Sequence, residues 1–257
     1  MGHDGVGDPS SHARAAPDAV DRSPAAEQER RERVLTQGKP SVTRSIAEAV
    51  VIKDGDLFFL SEPDARVPLD RRHGLGLYHH DCRFLNGYEL WLAGTFPNLL
   101  ISSGAEGFRA IFEFSNPDIP LGGGRVIPAQ EVGIAWERIA DGKRLALHDR
   151  ISFHNYGLQA IELPVTLAFR AEFEDVFVVR GLLSERPGEI RPPEWRDGVL
   201  RFRYDRADGV HRSTTVAFSP QPERTEATMA HFQLRVGPGE ESALLVSLCV
   251  ADSTAPE

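Results

Sequence analysis

The strongest constraint on the fold is an alternation of apolar and polar side chains along two neighbouring segments. In residues 144–154 most large apolar residues lie at odd positions, and a second alternation runs through residues 161–173 after the turn Asn155-Tyr156-Gly157. A period of two places the apolar side chains on one face of a β-strand. Asp149 interrupts the first alternation, and we predict a bulge there. Pro164 lacks an N–H group, so we expect a sheet edge or a bulge at that point.

Turn signals separate many other short apolar runs along the chain. Asp54-Gly55-Asp56 lies between two apolar runs and predicts a hairpin, and a second hairpin is expected to join residues 88–92 to residues 98–102. No stretch after residue 48 has convincing helical periodicity, and 23 Gly with 18 Pro exceed the average share of about 12%. These observations predict an all-β fold, an antiparallel β-sandwich of the supersandwich-like kind.

The first part of the chain has a different composition. Residues 1–40 are rich in Ala, Pro, Ser, Asp and Arg and hold few large aliphatic residues. Such a segment cannot bury enough apolar surface to offset the entropy lost on ordering. We therefore predict a disordered tail over residues 1–40 and one β-sandwich domain over residues 41–257.

Charge and cysteine content limit the partners and the compartment. The formal net charge of −9 disfavours binding to the phosphate backbone of nucleic acids. Cys82 and Cys249 provide no disulfide framework and favour a reducing compartment. The N-terminus has no apolar signal core, and the longest mostly apolar stretch, residues 243–251, is too short to span a bilayer. We predict a cytoplasmic protein that binds neither nucleic acid nor membranes.

One short segment holds the densest group of chemically active side chains: His79, His80, Asp81, Cys82 and Arg83. In an extended chain His79, Asp81 and Arg83 share one face, and the other two residues share the opposite face. This division disfavours a metal site. Two interpretations remain: Asp81 and Arg83 have a structural role at the start of a strand, or the His–Asp–Arg group contacts a ligand.

A second polar segment contains Glu172, Glu174 and Asp175. Glycoside hydrolysis requires two carboxyl groups about 5–10 Å apart across a sugar, whereas adjacent residues in a strand or turn point in different directions. We therefore predict no catalytic residue here and expect Asp175 to cap a turn. The sequence has no phosphate-binding loop, dinucleotide fingerprint or zinc-protease motif, so no cofactor is predicted.

Three tryptophans offer flat faces on which sugar rings can pack. Trp91 and Trp136 lie in strand patterns and are expected in the core. Trp195 follows Pro192 and Pro193, so we place it in a loop. It is the tryptophan predicted to be exposed and the candidate for sugar binding.

Two motifs in this order resemble the N-terminal domain of bacterial proteins of the glycogen debranching (amylo-α-1,6-glucosidase) type. The first family pattern, Gly-Leu-Phe-x-x-Asp-x-Arg-x-Leu, is matched by residues 76–85 with Tyr78 at the Phe position. The second, Asp-x-Phe-x-x-Arg-Gly, is matched by residues 175–181. Cys82 and Asn86 stand where Thr and Ser are expected. The resemblance covers about residues 42–252.

The resemblance implies a β-sandwich placed before a helical (α/α)6 barrel, and in that family the barrel carries the carboxylic acids that hydrolyse α-1,6 branches. No helical repeat follows the last predicted strand before Glu257, so we expect the barrel to be encoded downstream or on a separate chain. The module would meet an α-glucan or oligosaccharide through that barrel, without a catalytic residue of its own. Its surface toward the barrel is expected to be an apolar patch.

Under this interpretation Asp81 and Arg83 hold the loop that carries His79 and His80, which becomes the candidate to reach substrate. An alternative is an autonomous carbohydrate-binding or interaction module, which requires exposed aromatic side chains, Trp195 first. A third alternative, a small hydrolase that uses residues 172–175, lacks a second suitably placed carboxylate.

Overall fold

The described part of the protein is built almost entirely of β-strands. The structure is a computed structural model that describes residues 48–70, 72–104, 107–182, 188–206 and 209–253. The predicted tail over residues 1–40 lies outside the described residues. In the described ranges, no helix has the length and apolar character required to cross a membrane.

The elements follow one another as short strands with a single helical turn. In chain order they are β1 (Val50–Asp54), β2 (Leu57–Ser61), β3 (Gly76–His79), β4 (Cys82–Leu85), β5 (Gly87–Leu92), β6 (Asn98–Ser103), β7 (Arg109–Ser115), β8 (Ile119–Gly122), β9 (Arg125–Ile127), β10 (Val132–Asp141), β11 (Ala146–Asn155), β12 (Ile161–Arg170), β13 (Glu174–Asp175), α1 (Val176–Val179), β14 (Gly188–Arg196), β15 (Val199–Arg206), β16 (His211–Ser219), β17 (Arg224–Glu226), β18 (Met229–Val236) and β19 (Glu241–Ser253).

These strands form three sizeable antiparallel sheets and a two-stranded ribbon. The five-stranded sheet has the order β1-β2-β3-β4-β13, and the eight-stranded sheet has the order β14-β15-β16-β19-β11-β10-β7-β6. The four-stranded sheet has the order β17-β18-β12-β5, and β8 pairs with β9. The alternation in residues 144–154 lies on β11 and that in residues 161–173 on β12, which places the two in different sheets.

One predicted hairpin is confirmed and the other is wrong. β1 and β2 are joined by a two-residue turn with Gly55 at φ +60° in the first central position, the arrangement of a type II′ turn. By contrast, β5 pairs with β12 and β6 pairs with β7, so residues 88–92 and 98–102 do not form a hairpin. The two strands differ in burial: β5 is almost wholly buried, whereas every residue of β6 is exposed at a sheet edge.

Pro164 lies inside the four-stranded sheet rather than on its outer edge. Its C=O accepts a hydrogen bond from the N–H of Ala93 at 3.1 Å, one residue beyond the end of β5. The N–H and C=O of one strand residue point the same way, so the missing donor of Pro164 falls where the ladder with β5 has ended. The sheet therefore loses no ladder bond at this proline.

One continuous core joins the three larger sheets. Phe169 of β12 packs against Phe218 of β16 with ring centroids 5.8 Å apart. Thr214 of β16 donates its hydroxyl to the C=O of Phe84 on β4 at 2.8 Å. The eight-stranded sheet thus covers both of the other large sheets, and the predicted all-β sandwich is confirmed.

The largest correction inside the core concerns Asp149. The pairings of β11 with both of its neighbours run through this residue without a register shift, so the predicted bulge is absent from β11. Asp149 is buried and accepts hydrogen bonds from the guanidinium of Arg138 at 2.8–3.2 Å and from the indole N–H of Trp136 at 2.8 Å. The Arg138 guanidinium lies over the rings of Phe59 and Tyr88, 4.3 and 4.9 Å from their centroids. Asp149 breaks the alternation because it neutralises a buried charge.

Candidate functional site at the junction of two motifs

The two motif segments, far apart in the sequence, meet in the five-stranded sheet. β13 pairs with β4, which places Glu174 opposite Arg83 and Asp175 opposite Cys82. The N–H of Val176 then donates to the C=O of Asp81 at 2.8 Å. The first motif therefore supplies a strand and a turn, and the second motif covers them.

A buried ion pair joins Arg83 of the first motif to Glu174, the residue directly before the second motif. Arg83 and Glu174 are 5% and 6% exposed, and the guanidinium donates to the Glu174 carboxylate. The same guanidinium donates to the C=O groups of His73 at 2.5 Å and Leu75 at 3.1 Å. Arg83 thus ties the segment that leads into β3 to the second motif. Burial of a charge is tolerated here because the guanidinium has a carboxylate and two carbonyl oxygens as partners.

All three carboxylates that resembled a catalytic cluster bind structural partners. Glu174 is paired with Arg83, and Glu172 accepts from the side-chain amide of Asn86 at 2.7 Å. Asp175 accepts from the N–H of Phe177 at 2.9 Å and caps α1, which confirms the predicted cap. This arrangement braces a turn.

The histidine pair sits at a tight turn, which overturns the assumption of an extended chain. His79 pairs with Cys82, so His80 and Asp81 form a two-residue turn between β3 and β4. His80 has φ +50° and is exposed, as is Asp81, whereas His79 is half-buried. The rings of His79 and His80 are 4.0 Å apart between centroids. Burial lowers the pKa of His79, and the charge of the neighbouring His80 lowers it further.

The turn and α1 together expose a mixed surface. His80 and Asp81 lie next to α1, whose Phe177 is 47% exposed, and the N–H of Leu182, itself 67% exposed, donates to the C=O of Phe177 at 2.8 Å. We call His79, His80, Asp81, Phe177 and Leu182 the motif-junction surface.

Gly76 explains why the first motif begins with glycine. Its φ of +136° is a conformation that L-residues rarely adopt, and a Cβ at this position would lie 2.0 Å from the C=O oxygen of Leu85. Cys82 follows in β4 and is buried, and burial raises the pKa of its thiol to about 12. The thiol therefore stays protonated at neutral pH and is a poor nucleophile.

Sequence reasoning missed the residues that hold the segment leading into β3. His73 donates through Nε2 to the C=O of Pro68 at 2.7 Å, because its Nδ1 accepts from the N–H of Leu75 at 3.1 Å. Arg170 donates to the C=O of Leu69 at 2.6 Å, and Glu89 accepts from the N–H of the same residue at 3.1 Å. Arg170 of β12 and Glu89 of β5 are 101 and 20 residues from Leu69 in the sequence, so no local spacing indicates these two contacts.

Trp195 lies away from the motif junction, in β14 rather than in a loop. Its ring is partly buried and lies 6.0 Å from that of Phe218 between centroids, and its indole N–H donates to the C=O of Ala227 at 2.8 Å. β14 shifts register between Arg191 and Glu194, so the two intervening prolines occupy an irregularity in an edge strand. In the described ranges, no three His, Cys, Asp or Glu side chains are placed to hold a metal ion.

The fold and the motif junction define an all-β sandwich domain in which the two sequence motifs pack together at one turn. A family profile described as the N-terminal domain of some glycogen debranching enzymes matches residues 52–247. The chain belongs to this family of N-terminal domains.

The first of two similar solved structures supports the fold, because its TM-score exceeds 0.5. A chain from the human microbiome described as a kojibiose phosphorylase is similar with a TM-score of 0.54 at 8% identity, over 82% of this chain and 31% of that one. A galactose mutarotase-like protein from Lactobacillus casei has a TM-score of 0.41 at 8% identity, over 79% of this chain and 100% of that one. This chain spans about a third of the phosphorylase. No curated protein matches it.

Proposed function

We propose that residues 41–257 form a non-catalytic β-sandwich module of a glycogen-debranching-type glycoside hydrolase, and that the module packs against a helical catalytic barrel. The observation that carries this proposal is the motif junction. The buried ion pair between Arg83 of the first motif and Glu174, directly before the second motif, braces one turn. The described part of the chain contains a single helix of four residues, so the barrel comes from outside it.

The roles of three carboxylates support the proposal that the module itself is not catalytic. In the second motif segment, Glu172, Glu174 and Asp175 each accept a hydrogen bond from a structural partner. Glu174 is in addition 6% exposed, and a general acid or nucleophile requires access to the glycosidic bond.

The motif-junction surface is the face we assign to the barrel and to the border of its glucan cleft. Phe177 and Leu182 supply exposed apolar contact area, and His80 and Asp81 supply polar groups at the tip of the turn. Arg83 is buried beneath the turn, so its contribution to substrate binding is to position that turn. The substrate is an α-glucan or oligosaccharide that the module reaches through the barrel.

A cytoplasmic location belongs to the same proposal. Cys82 and Cys249 are both free thiols, and Cys249 is exposed. Free thiols in a protein without disulfides are typical of a reducing compartment.

The experiment that tests the proposal combines the full chain with the debranching-type helical barrel of the same organism. The chain alone is expected to release no glucose from a limit dextrin, and the two proteins are expected to associate in calorimetry. Phe177→Ser and His80→Ala should weaken association or slow dextrin hydrolysis without changing the unfolding midpoint. Leu158→Ser, at a residue that is 94% exposed and outside the junction, is the matched control.

Two results would contradict the proposal. Glucose release by the chain alone would show that it is catalytic. Equal association and equal hydrolysis for the junction variants and the control would remove the junction from the contact with the barrel.

A further inference from the structure

A depression lies on the solvent-facing side of the eight-stranded sheet, away from both motifs. It is formed by β6, β7, β10, β11 and the start of β19, and its volume is about 570 Å³. Ligand pockets for small molecules typically have volumes of about 300–1,000 Å³. The depression is therefore large enough for a ligand of more than one ring.

The floor of the depression carries several small side chains. Gly133 of β10 pairs with Ser115 of β7, and Ala135 pairs with Ser152 of β11, so four neighbouring positions carry nothing longer than a serine. Solvent-facing positions of a sheet usually carry polar or β-branched side chains that cover the backbone. The same two cross-strand rows end in Glu113 on β7 and His154 on β11, so the four small residues lie between two longer side chains.

A fixed aromatic side chain forms one wall. Tyr156 is 68% exposed, and its ring centroid lies 4.3 Å from that of His154. The ring also lies against Gly133, where a Cβ would be 2.6 Å from Tyr156 Cε2. A glycine at this position therefore lets the ring settle on the sheet while much of its surface faces solvent.

Polar groups of several kinds surround the floor. Glu113 lies on the β7 side and Glu241 on the β19 side, with Gln130 at one end. Ser152 and Arg150 donate to the Glu241 carboxylate, and both hydrogen bonds lower the pKa of that group. The rim thus offers carboxylates that only accept, an amide that does both, and an imidazole.

From this geometry we propose that the depression is a binding site for a neutral oligosaccharide. A sugar has an apolar C–H face that packs on an aromatic ring, and hydroxyls that pair with carboxylates and amides. An anionic ligand would be repelled by Glu113, whereas the charge of Glu241 is balanced by Arg150. An apolar ligand would displace water from these carboxylates without replacing its hydrogen bonds, which is unfavourable.

This site goes beyond the proposed function, because it lies on a different sheet from the motif junction and requires no barrel. Only the use of an α-glucan as the first probe rests on that function. The site also replaces the expected aromatic platform: Trp195 is stacked within the protein, whereas Tyr156 faces solvent.

The test measures binding of maltohexaose, isomaltotriose and cellohexaose to the full chain by ligand-observed NMR and calorimetry. Tyr156→Ala removes the aromatic wall, and Ala135→Arg fills the floor from an exposed position. The matched controls are Leu158→Ala, two residues from Tyr156 and outside the depression, and Ala217→Arg, on β16 of the same sheet. Circular dichroism and unfolding midpoints confirm that all four variants fold.

We expect at least one oligosaccharide to bind the natural chain and both controls with similar affinity. Tyr156→Ala should weaken that binding at least about tenfold, and Ala135→Arg should abolish it. Failure of all three sugars to bind at millimolar concentration would overturn the site and leave the proposed function, which is measured by association with the barrel, untouched. If Tyr156→Ala and Ala135→Arg both retain binding but His80→Ala loses it, the depression is not the binding site, and the sugar binds at the motif junction.

Discussion

At the residue scale, two buried arginines organise this protein. Arg83 braces the motif junction through Glu174, and Arg138 lies in the middle of the sandwich with Asp149. Burial of such a pair costs a large desolvation free energy, which close hydrogen bonds and the surrounding aromatic faces offset. Arg138 occupies an inward position of β10, between Trp136 and Ala140, where an apolar residue is expected. An arginine at an inward strand position is therefore a signal to search for a buried acid.

Removal of one partner of the central pair should be far more costly than removal of a surface partner. Asp149→Ala leaves the Arg138 guanidinium buried without its carboxylate, and we expect a loss of about 3–5 kcal/mol in the free energy of unfolding. Glu137→Ala breaks the neighbouring pair with Arg109, where both side chains are 33% exposed, and should cost less than about 1 kcal/mol. Urea unfolding at neutral pH measures both.

A double substitution separates the effect of an unpaired buried charge from the effect of lost side-chain volume. Arg138→Met with Asp149→Leu removes both charges together and should recover most of the stability lost in Asp149→Ala. If Asp149→Ala costs no more than Glu137→Ala, the central pair does not stabilise the sandwich.

At the element scale, the β3–β4 turn and the β13–α1 segment form one unit. β3 begins at Gly76 beside the C=O of Leu85, and β13 closes the other side of β4. Each of these short elements is too small to be stable alone, and the pairing with Arg83 holds them together. The unit places an exposed turn and an exposed apolar helix side by side.

Gly76→Ala should destabilise this unit more than an ordinary glycine replacement. The new Cβ would meet the Leu85 carbonyl at 2.0 Å, so β3 and β4 must separate or change register. Gly55→Ala is the matched control, because Gly55 also has a positive φ but no atom lies within 4 Å of its Cβ position. The control should cost about 1–2 kcal/mol, and Gly76→Ala more.

Hydrogen exchange locates the effect of Gly76→Ala. The N–H of Val176, which bonds to Asp81, should lose protection in Gly76→Ala and keep it in Gly55→Ala. Equal losses of stability and unchanged exchange at Val176 would show that the close approach at Gly76 does not hold the two motifs together.

At the scale of the whole molecule, three sheets share one core rather than forming separate lobes. The continuous core includes Ile52 of β1, Trp136 of β10 and Phe232 of β18, one residue from each large sheet. Both the motif junction and the solvent-facing depression are therefore surfaces of the same rigid body. A ligand at either surface stabilises the folded state as a whole.

The shared core predicts a single cooperative unfolding transition. Far-UV circular dichroism reports all the strands, whereas tryptophan fluorescence reports the surroundings of Trp91 in the four-stranded sheet and of Trp136 and Trp195 in the eight-stranded sheet. The two signals should give the same midpoint and the same slope in urea. Two separate transitions would show that one sheet unfolds independently and that the sandwich has more than one cooperative unit.

Local sequence alone was sufficient for the β-strand character, the β1–β2 hairpin, the cap at Asp175 and the family. The first three depend on residues within about ten positions of one another, because strand periodicity, turn geometry and capping are short-range effects, and the family depends on two motifs that are each this short. The alternation on β11 and β12 records which side of each strand is buried. The two motifs identify the family.

The tertiary structure alone decided which strands pair and which charges are neutralised. Arg83 and Glu174 are 91 residues apart in the sequence. β5 pairs with the distant strand β12 and not with β6, which follows it in the chain. Trp195 lies in an edge strand, although the prolines before it are typical of a loop. The four small residues on the floor of the depression come from three neighbouring strands, β7, β10 and β11. Sequence patterns show which face of a strand is apolar, but partners are chosen by long-range packing, because many strands offer similar apolar faces and only the complete core distinguishes them.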